Sequence, residues 1–187
     1  MIQAPTQKIT LDEFLQLEET EPASEYIDGE IIQKPTPQGE HSVIQGELIL
    51  AINEVVKPTK IARAFLELQC TFGGQSIVPD VAVFTNPRIP RDETGEIANR
   101  FTSAPDWIIE ILSPVQSQTK VTKKILNCFK FETQMGWLID PEEKTIFVYL
   151  PTAAPAVFDE PSQQLPVPEF ANELQLTLGQ LFDWLLE

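Results

Sequence analysis

The sequence predicts a mixed α+β or α/β sandwich folded as a single domain. Three observations carry this. Helix-periodic and strand-like segments follow in the order helix, hairpin, helix, strands, helix, strands. The 187 residues suit one domain large enough to bury its own core. A hydrophobic fraction of 42% with charges of both signs is that of an ordinary globular chain, and no internal repeat interrupts it.

Each element has a local reason. Thr10 followed by Glu13 is a capping-box pattern ahead of an apolar-periodic run, which predicts a short helix over about 11–19. Asp28-Gly29 between apolar pairs predicts a hairpin. Val43, Leu48, Ile52 and Val55 fall near helical spacing, so a second helix is expected over about 40–56, with Pro58 just past its end. "IARAFLELQCTF" and "SIVPDVAVF" read as strands, with Gly73-Gly74 as the turn between them. The polar stretch 85–103 is a long loop of the kind that tends to be functional. "DWIIEIL" is a buried strand, and a helix follows over about 117–133. "GWLID" and "KTIFVYL" are strands around a turn at Pro141-Glu142-Glu143. The core is expected over 10–150. Residues 151–187 are expected to form an irregular Pro-rich insertion and a closing helix capped by Thr177.

Composition excludes several classes. No stretch is long and apolar enough for a membrane span. The start "MIQAPTQKIT" has neither the basic residues nor the apolar run of a secretory signal. Cys70 and Cys128 are too few for a disulfide scaffold and read as reduced, buried thiols of a cytoplasmic protein. A net charge of −15 repels nucleic-acid phosphates overall, so any nucleic-acid role needs a local positive patch.

Two strand-like segments carry a carboxylate inside an apolar row. In "DWIIEIL", Ile108, Glu110 and Leu112 share one face. In "VPDVAVF", Asp80 shares its face with Ala82 and Phe84. A carboxylate in such a row costs roughly 2–7 kcal/mol unless it is paired or binds a metal. The bland alternatives are a buried Glu satisfied by an Arg or backbone donors, and a strand-start Asp bonded locally. Asp106 lies on the Glu110 face but about 13 Å along the strand, too far to share an ion, and reads as a turn residue. Asp80 can meet Glu110 if their strands are neighbours. The pair would form a hard-oxygen site suited to Mg²⁺ or Mn²⁺. Zinc is disfavoured, since His41 is the only histidine and the cysteines lack ligand spacing.

"FLQLEETEPASEYIDGEIIQKPTPQGEH", "VPDVAVF", "PDWIIEILSP", a lysine-bearing helix and "GWLIDP", in that order, resemble the Uma-two family of restriction-endonuclease-like proteins, common in cyanobacteria. The resemblance covers about residues 10–150 and extends more weakly to the end. It implies the PD-(D/E)xK nuclease fold: a central mixed sheet flanked by helices, with an N-terminal helix and β-hairpin and a Mg²⁺-dependent centre. Asp80 matches the acid of the "PD" element and Glu110 that of the "ExK" element, with the Ile111 carbonyl as third metal ligand. Glu67 and Glu47 fall where related nucleases place an auxiliary acid, and His41 matches a histidine at a helix start. In each case a solvated or locally bonded side chain is the alternative. The pattern departs at the lysine, because the position two residues after Glu110 is Leu112. The helix lysines Lys124 and Lys120 are the substitutes: Lys124 borders the inward face, Lys120 lies further round, and Lys123 points outward.

The leading expectation is metal-assisted hydrolysis of DNA phosphodiester bonds, with Asp80 and Glu110 on Mg²⁺, Lys124 or Lys120 orienting water, and Arg88, Arg91 and Arg100 as the positive patch. The alternative is a non-catalytic module that keeps the nuclease fold and acts by homodimerising or by binding another protein through Trp107, Phe101 and the stretch 151–161.

Overall fold

The structure, a computed structural model, describes residues 9–186. The opening eight residues read for a signal, and the last residue of the closing helix, lie outside the described residues.

Helix α1 (Leu11–Phe14) starts on the expected capping box: Thr10 Oγ1 accepts from Glu13 N, and the Glu13 carboxylate accepts from Thr10 N at 2.7 Å. It ends sooner than the apolar pattern predicts. Leu15 and Leu17 are exposed, so no buried stripe continues it. Strands β1 (Ser24–Ile27) and β2 (Glu30–Gln33) form the hairpin through Asp28 and Gly29, whose φ values of 54° and 81° are those of a two-residue turn with both residues left-handed.

Helix α2 (Gly39–Val56) buries Ile44, Leu48, Ile52 and Val56. Leu48 and Ile52 face inward as expected, whereas Val43 is exposed and Val55 half-buried, with Ile44 and Val56 buried beside them instead. The same stripe continued toward the N-terminus holds His41 and Gln45, both buried.

The segments read as two strands are a single long hairpin bent in the middle. β3 (Ala62–Leu66) and β4 (Cys70–Phe72) pair with β6 (Val81–Thr85) and β5 (Gln75–Ile77) respectively. The register is continuous: Leu66 faces Val81 on one side of the bend and Cys70 faces Ile77 on the other. The bend falls at Glu67, with φ of 43°, opposite Pro79-Asp80, and Glu67 N reaches Asp80 O at 3.4 Å. Pro79 supplies no amide for a ladder, so a continuous strand is disfavoured there. The hairpin thus passes from one sheet to another, and Asp80 sits at the crossing.

After the long loop come β7 (Trp107–Ile111), α3 (Gln118–Cys128), β8 (Met135–Asp140), β9 (Thr145–Tyr149), β10 (Ala156–Phe158) and α4 (Leu178–Asp183). The larger sheet has the order β10-β9-β8-β7-β6-β3 and is mixed: only β7 and β8 run parallel, with α3 in their connection. The smaller sheet, β2-β1-β5-β4, is antiparallel.

Alternation divides the core. Val81, Val83, Trp107, Ile109 and Ile111 pack with α2. Ala82, Phe84, Ile108 and Leu138 pack with Val121, Ile125 and Cys128 of α3. A Cβ on Gly136 of β8 would collide with the Ile125 side chain, so this glycine lets α3 lie close on the sheet. Residues 151–187 are not merely an insertion and a cap. They contain β10, and Leu165, Leu174, Leu176, Leu178, Leu181 and Phe182 belong to the α2-side core. Thr177 does cap α4, with a full capping box through Gln180.

Candidate active site

β6 and β7 are antiparallel neighbours, with Val81 opposite Ile109. One residue further along that register, Asp80 faces Glu110. Both are 1% exposed; Glu110 meets Lys124 of α3, whereas the Asp80 carboxylate meets Lys34 and the α2 residue His41. The Asp80 Oδ2 accepts the Ile111 amide at 2.7 Å, so the backbone that follows Glu110 fixes the Asp80 carboxylate.

The positive groups come from elsewhere. Lys124, buried on α3, places its ammonium 2.8 Å from Glu110 Oε1 and 2.8 Å from Glu25 Oε1. Lys34, just past β2, places its ammonium 2.6 Å from Asp80 Oδ1 and donates to the Val78 carbonyl at 2.8 Å. His41 Nε2 is 3.3 Å from that same Asp80 oxygen, and Gln45 donates to the Asp80 carbonyl at 2.9 Å. Glu25 also accepts the Val78 amide at 2.8 Å. The hairpin β1–β2 therefore closes over the two acids and contributes one acid and one base of its own.

Three buried carboxylates share two ammoniums here, and the balance sets their protonation. Burial, with the nearby Asp80 charge adding to it, outweighs Lys124 and pushes Glu110 up to about 8. Burial also acts against ionised Asp80, but Lys34 and His41 overcome it and hold its carboxyl below the usual range. Lys124 loses water on burial, yet the Glu110, Glu25 and Asp80 carboxylates together keep it protonated well above an ordinary lysine. It is therefore a permanent donor and not a base.

The remaining sequence candidates are dispersed. Lys120 and Lys123 are exposed on α3. Leu112 is half-buried against the α3-side core. Glu67 is exposed, but its residue lines the small cleft over Asp80 together with Lys34, His41 and Gln116. Glu47 is half-buried and lies two residues beyond Gln45, hence about 200° round the helix from the face that meets Asp80. A second cleft, of about 180 Å³, runs past His41, Leu112 and Ser113 toward Asp140.

The arginine patch does not assemble at this centre. Arg88 is bound to Asp106 Oδ1 at 2.8 Å and to the Ala104 carbonyl at 2.9 Å, at the other end of β7. Arg91 bonds within its own loop, to the Gly95 carbonyl and the Asn86 side chain. The long loop buries Ile89 and Phe101 in the core. Phe101 and Trp107, considered as partner contacts, are likewise interior. Asp106 lies at a bend just before β7, as expected, and its buried carboxylate accepts Thr85 N, Thr85 Oγ1, Arg88 Nη1 and Gln134 Nε2. Cys70 and Cys128 are free and buried, and burial raises both thiols, Cys128 to about 12.

Sequence reasoning missed Glu25, Lys34 and Gln45. The signals were weak: a Glu in a hairpin strand, a Lys before Pro35, and a Gln one turn after His41.

The donors available for an ion are the Asp80 and Glu110 carboxylates and nearby main-chain carbonyls. Among the described residues, no three His, Cys, Asp or Glu side chains converge as a metal cluster. Mg²⁺ and Mn²⁺ need fewer, since they take one or two carboxylates and keep several waters. The donor chemistry fits such an ion. The structure also shows the Lys34 ammonium on the Asp80 oxygen not used by the Ile111 amide. Among the described residues, no helix is long and apolar enough to cross a membrane.

Comparison with known proteins gives the family and the fold. No curated protein matches the chain. A solved structure described as a "putative nuclease belonging to DUF820" from Anabaena variabilis superimposes with a TM-score of 0.93 at 68% sequence identity, covering 95% of this chain and 99% of that one. The fold is the restriction-endonuclease-like one. The family model described as "Putative restriction endonuclease" matches residues 11–179, and the chain belongs to that family, Uma2.

Proposed function

We propose that this protein is a metal-dependent endonuclease that hydrolyses DNA phosphodiester bonds at the Asp80–Glu110–Lys124 centre. The observation that carries the reading is the convergence of two buried carboxylates on adjacent strands with one buried helix lysine. Asp80, Glu110 and the Ile111 carbonyl are the groups to hold Mg²⁺ or Mn²⁺. Such an ion supplies Lewis-acid charge at the phosphate and lowers the pKa of a bound water.

This chain's own residues do the rest. The Ile111 amide holds Asp80 in one orientation. Glu25 and Glu110 hold the Lys124 ammonium between them, so its N–H groups are placed without a search through rotamers. Being permanently charged, Lys124 orients the attacking water and steadies negative charge on the phosphate. It stands in for the lysine whose usual position Leu112 occupies.

The test is cleavage of supercoiled, linear duplex and single-stranded DNA with Mg²⁺ or Mn²⁺, comparing the wild type with Glu110→Ala. Metal-dependent cleavage lost in the variant supports the reading. An inert wild type that gains metal-dependent cleavage on Leu112→Lys supports the non-catalytic module instead.

A further inference from the structure

We propose that Lys34 is the built-in counter-cation of this centre: its ammonium holds the place at Asp80 that a divalent ion takes, and it leaves Asp80 when an ion binds. This rests on the metal-dependent reading above.

The Asp80 carboxylate has two oxygens and a different duty for each. Oδ2 is committed to the Ile111 amide at 2.7 Å, a bond made by the strand that carries Glu110. Oδ1 is the oxygen left to face an ion, and Lys34 stands on it at 2.6 Å. The same ammonium takes the Val78 carbonyl at 2.8 Å. A carboxylate oxygen and a main-chain carbonyl are the donors a hard cation seeks. Two cations cannot both crowd one buried oxygen, because their repulsion is little screened in a water-poor interior.

The two lysines of the centre differ in their freedom. Lys124 has a side chain 3% exposed, extends from the middle of α3 and is gripped by two carboxylates. Lys34 has a side chain 8% exposed and one carboxylate partner. It follows β2, the edge strand of the smaller sheet, and it lines the small cleft over Asp80 with Pro35 and Pro37. Lys34 thus has a route to solvent along its own cleft, which its four-carbon stem can follow. With Lys34 in place, Asp80 is paired and its burial is tolerated without an ion. With Lys34 displaced, one positive charge leaves as two arrive. The residue sets how tightly, and how selectively against weakly binding cations, the centre is loaded.

The test uses the full chain and Mn²⁺ as the probe. Lys34 and Lys124 are followed by mass spectrometry after brief acylation with an amine-reactive ester, with and without Mn²⁺, and Mn²⁺ affinity is measured by calorimetry for the wild type, Lys34→Met and Asp80→Asn. The expected result is that Mn²⁺ makes Lys34 acylate several-fold faster in the wild type while Lys124 stays protected. Lys34→Met should bind Mn²⁺ about tenfold more tightly, as a competing state is removed, and Asp80→Asn should lose binding and acylate at Lys34 regardless of Mn²⁺. Binding by Lys34→Met with none by the wild type overturns the displacement, since Lys34 then never leaves Asp80 for the ion. Mn²⁺ binding to the wild type that leaves Lys34 protected overturns it, as does a Lys34→Met affinity equal to or weaker than the wild type's. Absence of binding by every protein overturns both the proposal and the metal-dependent reading. The acylation readout on the wild type stands even if Lys34→Met does not fold.

Discussion

Two Pro-Asp steps introduce the neighbouring strands β6 and β7, and their carboxylates are equally buried at 1% exposure. Asp106 is met by four donors at 2.7–3.0 Å, from Thr85 N, Thr85 Oγ1, Arg88 and Gln134. Its acceptor capacity is filled by groups that hold the ends of β6, β7 and β8 together. Asp80 has a single backbone donor, a long flexible ammonium and the His41 imidazole at 3.3 Å, and it faces a cleft. The same dipeptide is thus a structural peg at one end of a strand pair and, at the other, the acid that the proposed function places on the metal. What separates them is whether the partners can move, not how deep the carboxylate lies.

Exchanging each carboxylate for an amide is the strongest way to break this contrast. Asp106→Asn turns an acceptor into a donor facing donors, and should cost roughly 3–5 kcal/mol of stability, as when a buried ion pair loses one partner. Asp80→Asn should cost only on the order of 1 kcal/mol, because Lys34 can turn to solvent, while DNA cleavage falls below detection. Urea unfolding alongside a cleavage assay separates the two. Equal losses of stability would erase the distinction.

Lys124→Ala is next in size. It should lower cleavage by about 10²–10³-fold, the loss of a preorganised donor, while Mn²⁺ binding persists. Lys120→Ala and Lys123→Ala, at exposed positions of the same helix, should cleave like the wild type within about twofold. A Lys120 effect as large as that of Lys124 would show that the buried ammonium is not the working one.

The acids can also be told apart by pH. Glu110 holds its proton up to about 8 in the folded chain against an ordinary 4.5. Its contribution to stability is therefore full below 4.5 and lost as pH rises through about 8. Asp80 has the opposite sign: its contribution is present above 3.8 and lost as pH falls below that. Urea midpoints measured from pH 4.5 to 8.5 should fall less steeply in Glu110→Gln than in the wild type. Parallel profiles would contradict the assignment of the proton to Glu110.

The smallest effect sharpens the same comparison. Arg88→Ala should destabilise the fold through Asp106, yet leave cleavage by the folded protein unchanged, because Arg88 is committed away from Asp80. Arg91→Ala, bonded only within its exposed loop, should change stability by less than about 0.5 kcal/mol.

Local physics explains which parts were legible in the sequence. The capping boxes at Thr10 and Thr177, the Asp28-Gly29 turn and the alternation that puts Glu110 in an apolar row are written in a few adjacent residues, and they form as expected. The sequence also allowed Asp80 to meet Glu110 if their strands are neighbours, and β6 and β7 are neighbours. The two strands around Gly73-Gly74 were legible, but not their common bend at Glu67 and Pro79-Asp80, which carries the hairpin from one sheet to the other. Val43 and Val55, at the ends of the expected α2 stripe, give way to Ile44 and Val56, and the buried Gln45 beside them went unread. Glu25 could not be read at all, since its partner Lys124 is 99 residues away and meets it only because one sheet closes over the other.

The account turns on Asp80 and Glu110 acting as one metal-dependent centre. The most direct measurement is single-turnover cleavage of a duplex DNA by the wild type, Asp80→Asn and Glu110→Ala across a Mn²⁺ titration. The prediction is metal-dependent cleavage by the wild type and none by either variant, both remaining folded. Cleavage by either variant at the wild-type rate, or by the wild type without a divalent ion, would contradict it.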